Sequence, residues 1–382
     1  MSTLTSMAVD FGEFNSWHFN WLDVEPQKQV AMAGWIILQN AASHKDLNPS
    51  SEVTLKFLKT VHANYNADLP FHTFSHAVDA LHTCWRYMCL ASAHSFLTGI
   101  EQFILLVSAI SHDVGHFGLN NPHLIEVGHD IALTYNDKSP LENMHCATTF
   151  KIMASEQDAN IFQFFRRSDF FEARRICIEA ILHTDMVHHF ACVKEIDVLY
   201  QMHADDSGND LAQLFPDRDT KQKIMNLFLH SADVSNPCKP WSICHPWAMR
   251  CLEEFFNQGD QERSLGIPVQ MLNDRTKVNR PFSQIGFVEF MIVPLEAAKV
   301  KLFPALYETA EHLKANMQEW ARLWIDEVNP LDEERAKVQS RVNKACDMLA
   351  QARASAIVYT NTGEETSAEI NYDSVASRLS HG

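Results

Sequence analysis

Two apolar stretches with helical spacing run into histidine and aspartate, and a third helical stretch begins with a histidine pair. EQFILLVSAIS leads into His112–Asp113, KQKIMNLFLHSAD carries His230 and closes on Asp233, and Pro70 is followed by His72 and His76, four residues apart. An ionised carboxylate and an imidazole at the end of a buried helix are costly unless a metal or a charge partner compensates. Two imidazoles and two carboxylates can hold a divalent ion in an octahedral site that keeps water ligands. Asp113 sits beside His112, so its second oxygen can reach a neighbouring ion, an arrangement that activates water against a phosphoester. The pattern reads as a metal-dependent phosphohydrolase.

The rest of the chain sets the fold that must carry this pattern. VAMAGWIILQ, SEVTLKFLKTVHANY, AVDALHTCWRYMCLA and AMRCLEEFFNQ place apolar residues at three- and four-residue steps, and alternation of period two is scarce. Breakers stand where helices should end, at Leu69-Pro70, Asn121-Pro122, Asn236-Pro237, Lys239-Pro240 and Ile267-Pro268. The expectation is all-α, a single compact multi-helix domain over residues 1–352, with one long amphipathic helix from about 308 to 352. Residues 353–382, TNTGEETSAEINYDSVASRLSHG at their end, have the composition of a mobile tail.

Charge narrows the partner. With 31 basic and 48 acidic residues the chain carries −17, against a nucleic-acid partner that needs a basic face. An anionic small molecule remains compatible, because bound metal ions reverse the field inside a cleft. The nine cysteines follow no framework spacing, and MSTLTSMAVDFGEF has neither a basic nor an apolar leader region. FILLV is too short to span a bilayer. A cytoplasmic protein with no membrane span is expected.

FHTFSHAVD (71–79), SHDVGHFGLNN (111–121), LTYNDKSPLENMHC (133–146), ILHTDM (181–186), LHSADVSNP (229–237), EEFFNQGD (253–260) and SQIGFVEFMIVPL (283–295) follow one another in an order that resembles the catalytic domain of class I cyclic nucleotide phosphodiesterases, within the HD phosphohydrolase superfamily. The likeness covers roughly residues 30 to 330. Two segments depart from it: the usual YHN is Phe71-His72-Thr73, and the usual ENHH is Glu142-Asn143-Met144-His145. The resemblance implies hydrolysis of cyclic AMP, cyclic GMP or both to 5′-monophosphates. It implies that His76, His112, Asp113 and Asp233 bind a zinc-like ion, and that Asp113 bridges to a second ion, magnesium or manganese. His116, Glu142 and Thr184 would hold that ion's waters, and His72 would protonate the leaving 3′ oxygen. Regulatory domains or a homodimer are the further partners it implies.

The chemistry of the side chains agrees. A cyclic phosphodiester has a poor alkoxide leaving group, and a general acid contributes ~10²–10⁴ in rate. A histidine that donates must first be cationic, which a nearby carboxylate would favour. Gln284 and Phe287 lie three residues apart and share a helical face; an amide can pair with a purine edge while a ring stacks on its plane. Asn236, three residues beyond Asp233, is expected to face the base, and Phe255 to line the pocket. Two other functions compete: an HD-type phosphohydrolase for another phosphoester, which leaves SQIGF, LEN and TDM unexplained, and a helical scaffold without catalysis, which does not need all four ligands.

Overall fold

The computed structural model describes residues 11–44, 47–155, 157–204 and 211–359, and among them every regular element is helical. The helices of eight residues or more are α1 (Pro26–Ala42), α2 (Ser51–Ala63), α3 (Phe74–Leu90), α4 (Gly99–Ser111), α5 (Pro140–Ser155), α6 (Arg167–Leu182), α7 (His189–His203), α8 (Arg218–Asp233), α9 (Trp241–Leu265), α10 (Arg280–Phe287), α11 (Val293–Leu302), α12 (Tyr307–Val328) and α13 (Asp332–Ala354). No single helix among the described residues is long and apolar enough to cross a membrane.

Helix α4 lies at the centre because it has no polar face to offer. A capping box of Thr98 and Glu101 starts it, and every residue from Gln102 to Ser111 is buried. Each large aliphatic side chain buried there contributes ~1.5–3 kcal/mol, so the helix is held inside along its whole length. It packs on α3, α6 and α1. Its C-terminus therefore delivers His112 and Asp113 into the interior rather than to solvent.

Helix α3 is also buried nearly all round, yet carries polar side chains at His76, Asp79, His82 and Arg86, three to four residues apart. Asp79 binds Lys239 Nζ at 2.6 Å and accepts from Asn236 Nδ2 at 3.1 Å. His82 donates from Nε2 to the Phe14 carbonyl at 2.8 Å, and Arg86 to Asn15 Oδ1 at 2.8 Å. Removing one partner of the buried Asp79–Lys239 pair would strand a charge at a cost of ~3–5 kcal/mol. The stripe ties α3 to the N-terminal segment on one side and to the chain after α8 on the other.

Apolar side chains from the N-terminal segment through α8, with Leu295, Ala298 and Leu302 of α11, form one core, and α10 to α13 with Cys238, Cys244 and Ala248 form a second. Val234 packs against both. Asp233, its neighbour and the last residue of α8, is thus placed at the seam between them.

Three sequence expectations are revised. The helix expected over 308–352 breaks in two, because Asn329 turns left-handed at φ 48° and Pro330 follows it. His72 does not lie in the helix of His76: Thr73 is the extended N-cap, and α3 begins at Phe74. The tail expected from 353 begins as the end of α13; Ile357 then donates to the Lys301 carbonyl at 2.9 Å, and the Tyr359 hydroxyl meets the Leu302 carbonyl. The remainder of that segment, 360–382, lies outside the described residues.

Candidate metal centre

The first turn of α3, the end of α4 and the end of α8 converge on one point. His76 Nε2 stands 3.0 Å from Asp233 Oδ1 and 3.3 Å from Asp113 Oδ2, while His112 Nε2 stands 3.0 Å from Asp113 Oδ2 and 3.2 Å from Asp233 Oδ1. One donor atom from each residue lies within 4.8 Å of all the others. All four sequence-derived ligands are therefore brought together.

Their surroundings ask for positive charge. His112 donates from Nδ1 to the Ala109 carbonyl at 2.8 Å, which turns Nε2 toward the carboxylates. Asp113 Oδ2 is buried without a hydrogen-bond partner. Burial alone would lower the pKa of His112 and His76, but Asp113 and Asp233 outweigh it and raise both. Burial likewise opposes ionisation of Asp113 and Asp233, yet His112 above all holds both below the ordinary carboxylate range. Two nitrogens and two oxygens with this shared demand for a cation fit a divalent metal ion. Phe71 covers the site from one side, its ring 4.6 Å from His76 and 5.6 Å from Trp247.

Beside this cluster stands His72, fixed by a residue 182 positions away. His72 Nδ1 pairs with Glu254 Oε1, and Glu254 Oε2 accepts from the backbone N–H groups of Phe71 and His72 at 2.9 and 3.1 Å. Burial works against the imidazolium, but Glu254 overrides it and lifts the His72 pKa to about 9. Burial also opposes ionisation of Glu254, and His72 overrides that to pull its pKa down to about 2. His72 is consequently cationic at neutral pH, with Nδ1 engaged and Nε2 left to donate. His116 stacks on it at 3.8 Å between ring centres. Gly115, at φ +84°, makes the left-handed turn that brings His116 back over His72. Burial first, and then the charge of His72, keep His116 neutral, its Nδ1 accepting from Gly118 N at 2.9 Å.

On the far side of Asp113 lies a group of acids. Asn121 Nδ2 links Glu142 Oε2 at 2.8 Å and Asp185 Oδ2 at 3.3 Å. Burial, then Asp185, raise Glu142 to about 8. Thr184 is buried beside Asp185, but its hydroxyl donates to the Ile181 carbonyl at 2.8 Å, so only its lone pairs remain for a water. His145 Nε2 lies 3.7 Å from Asp113 Oδ1, its Nδ1 donating to the Val114 carbonyl at 2.9 Å. Sequence reasoning missed Glu254, His145 and Asp185, although each sits inside or beside a segment it had singled out.

Of the residues expected at the base, Gln284 and Phe287 lie on α10, a helix of the second core. Gln284 is buried on α10, and no protein group among the described residues bonds its amide. Phe287, at the end of α10, packs one side on the second cluster, just before a π-helical turn, Val288–Ile292. Asn236 is buried, and its NH₂ group is committed to Asp79. Phe255 is half-buried, and the member of EEFF that enters the site is its neighbour Glu254.

Residues 71–313 match the family described as 3′5′-cyclic nucleotide phosphodiesterase. The dual specificity calcium/calmodulin-dependent 3′,5′-cyclic nucleotide phosphodiesterase 1C of Mus musculus is 31% identical over 75% of this chain and 39% of its own length. The high affinity cAMP-specific and IBMX-insensitive 3′,5′-cyclic phosphodiesterase 8A of Mus musculus is 32% identical over 72% of this chain and 34% of its own. The chain thus spans less than two fifths of the length of these curated relatives. The crystal structure of the phosphodiesterase domain of the RhoPDE fusion protein from the choanoflagellate Salpingoeca rosetta superposes with a TM-score of 0.77 at 27% identity, covering 86% of this chain and 99% of that one. With the matched region spanning the four converging ligands, the His72–Glu254 pair and α10, the chain belongs to the 3′5′-cyclic nucleotide phosphodiesterase family.

Proposed function

We propose that this chain hydrolyses 3′,5′-cyclic nucleotides to 5′-monophosphates, and that His72 is the general acid. The observation that carries the reading is His72 paired with Glu254 beside four convergent side chains that can hold a metal. His76, His112, Asp113 and Asp233 would hold a zinc-class ion, and Asp113 with the waters facing His116, Glu142, Thr184 and Asp185 would hold magnesium or manganese. Bound there, the ions would supply positive charge against the phosphoryl oxygens and lower the pKa of water. His72 would pass the Nε2 proton to the departing 3′ oxygen, and Glu254 would keep the ring oriented and charged before each turnover. A cytoplasmic setting is part of the proposal, supported by nine free cysteines.

For the base, Gln284 would bond the purine edge and Phe287 would stack on its face. Asn236 supports cyclic AMP as the better substrate. Asp79, paired with Lys239, can only accept, so the Asn236 NH₂ group must point to it and the carbonyl oxygen is left for the ligand. A carbonyl matches the amino group of adenine and opposes the carbonyl of guanine.

Steady-state kinetics on both nucleotides test this. Phe287→Ala is expected to weaken both substrates by ~1–3 kcal/mol, because stacking tolerates either base. Gln284→Ala should cost a similar ~1–3 kcal/mol through unpaired polar atoms. Asn236→Ala should lower kcat/KM for cyclic AMP about tenfold more than for cyclic GMP, the value of one hydrogen bond. Equal losses for the two nucleotides in Asn236→Ala would remove Asn236 from base reading. An unchanged KM with a lowered Tm in Phe287→Ala would make Phe287 a core residue only.

A further inference from the structure

A second group of metal-binding side chains lies outside the catalytic cluster. His18, Glu308 and His312 each offer one donor atom, and these atoms lie within 4.8 Å of one another. Glu308 and His312 are four residues apart in the first turns of α12, so they share a face, with His312 Nε2 3.7 Å from Glu308 Oε1. That separation is too long for a hydrogen bond, and His312 Nε2 is buried with no partner. The third member comes from the other end of the chain: the ring of His18 stands edge-on to His312 at 5.7 Å between centres.

His18 is exposed, but its backbone is not free to wander. Trp17 on one side is buried against Tyr87 and under the guanidinium of Arg86, and Phe19 on the other packs edge-on to Phe14 and Trp21. Both neighbours anchor the segment to the first core, while Glu308 and His312 stand on a helix of the second. Two histidines and one carboxylate, with a buried nitrogen left unbonded, match the donor set of a borderline divalent ion that completes its shell with water.

We propose that His18, Glu308 and His312 form a third metal site, for a zinc-class divalent cation, which clamps the N-terminal segment to α12. The ion joins two elements that otherwise belong to separate cores, so its effect is on stability and not on the chemical step. Because the clamped segment also receives His82 and Arg86 of α3, it braces the helix that carries His76.

Zinc titration by calorimetry, on the whole chain with its catalytic site already loaded with zinc and magnesium, tests this. Wild type should bind one further zinc ion per chain and gain Tm with it. His18→Ala, Glu308→Gln and His312→Ala should each weaken that event at least tenfold and lose the Tm gain, with kcat at saturating catalytic metal unchanged. His18→Ala removes an exposed side chain, so a folding defect does not cloud its result. An extra zinc bound as tightly by the His18→Ala/His312→Ala double variant as by wild type, or no extra zinc in wild type, would overturn the proposal.

Discussion

Asp113→Ala is expected to reduce turnover of cyclic nucleotides by at least about a thousandfold and to empty the catalytic site of metal. In the proposed site Asp113 would face both ions: Oδ2 meets His76 and His112, while Oδ1 looks toward His145. Its removal leaves Asp233 as the remaining carboxylate of the cluster beside His76 and His112. Asp113→Asn keeps the shape and removes the charge, so it separates ligation from packing. Metal content measured by mass spectrometry should fall in both variants, with Tm changed little in Asp113→Asn. Full metal occupancy with near-normal turnover in Asp113→Ala would sink the two-ion reading.

His72→Ala should behave differently: metal retained, KM roughly kept, and kcat lower by about two to four orders of magnitude. A phosphodiester with a nitrophenyl leaving group should lose less, since a good leaving group needs less help from an acid. Equal losses on both substrates would show that His72 is not the acid. Glu254→Gln gives a second and independent sign. His72 donates only when protonated, and with its pKa lifted to about 9 the acid form persists below that value and is lost above it. Without Glu254, the main group opposing burial is gone and the pKa falls. The alkaline limb of the kcat profile should therefore move toward acid. Activity at pH 7.5 should drop roughly ten- to a hundredfold and recover in part near pH 5.5. A profile unchanged in Glu254→Gln would mean that Glu254 does not set the charge on His72.

These two predictions rest on residues that the sequence revealed unequally. The candidate metal ligands were legible because each ends or begins a strongly periodic helix, where an ionisable side chain in an apolar context asks for an explanation. His72 was legible as chemistry but misplaced as structure, since Thr73 opens α3 after it. Glu254 escaped notice because its role depends on α9 passing the turn before α3, a contact across 182 residues that no local pattern encodes. The sequence points to Phe255, its aromatic neighbour, while the carboxylate one position earlier is the partner that a cationic His72 requires. Asn236 shows the same limit: its spacing from Asp233 placed it near the site, but only the fold reveals that Asp79 takes its NH₂ group. The break at Asn329-Pro330 was visible in principle, as a left-handed residue before a proline, and was masked by the continuous charge pattern on either side.

The most direct test of the central claim is kcat/KM for cyclic AMP, measured on protein stripped of metal and again after reconstitution with zinc and magnesium, with the product identified by phosphorus NMR. The structure predicts no turnover from the stripped protein and recovery on reconstitution, with the 5′-monophosphate as sole product. Turnover that survives metal removal, or reconstituted protein with both ions bound that leaves cyclic AMP and cyclic GMP intact, would contradict it.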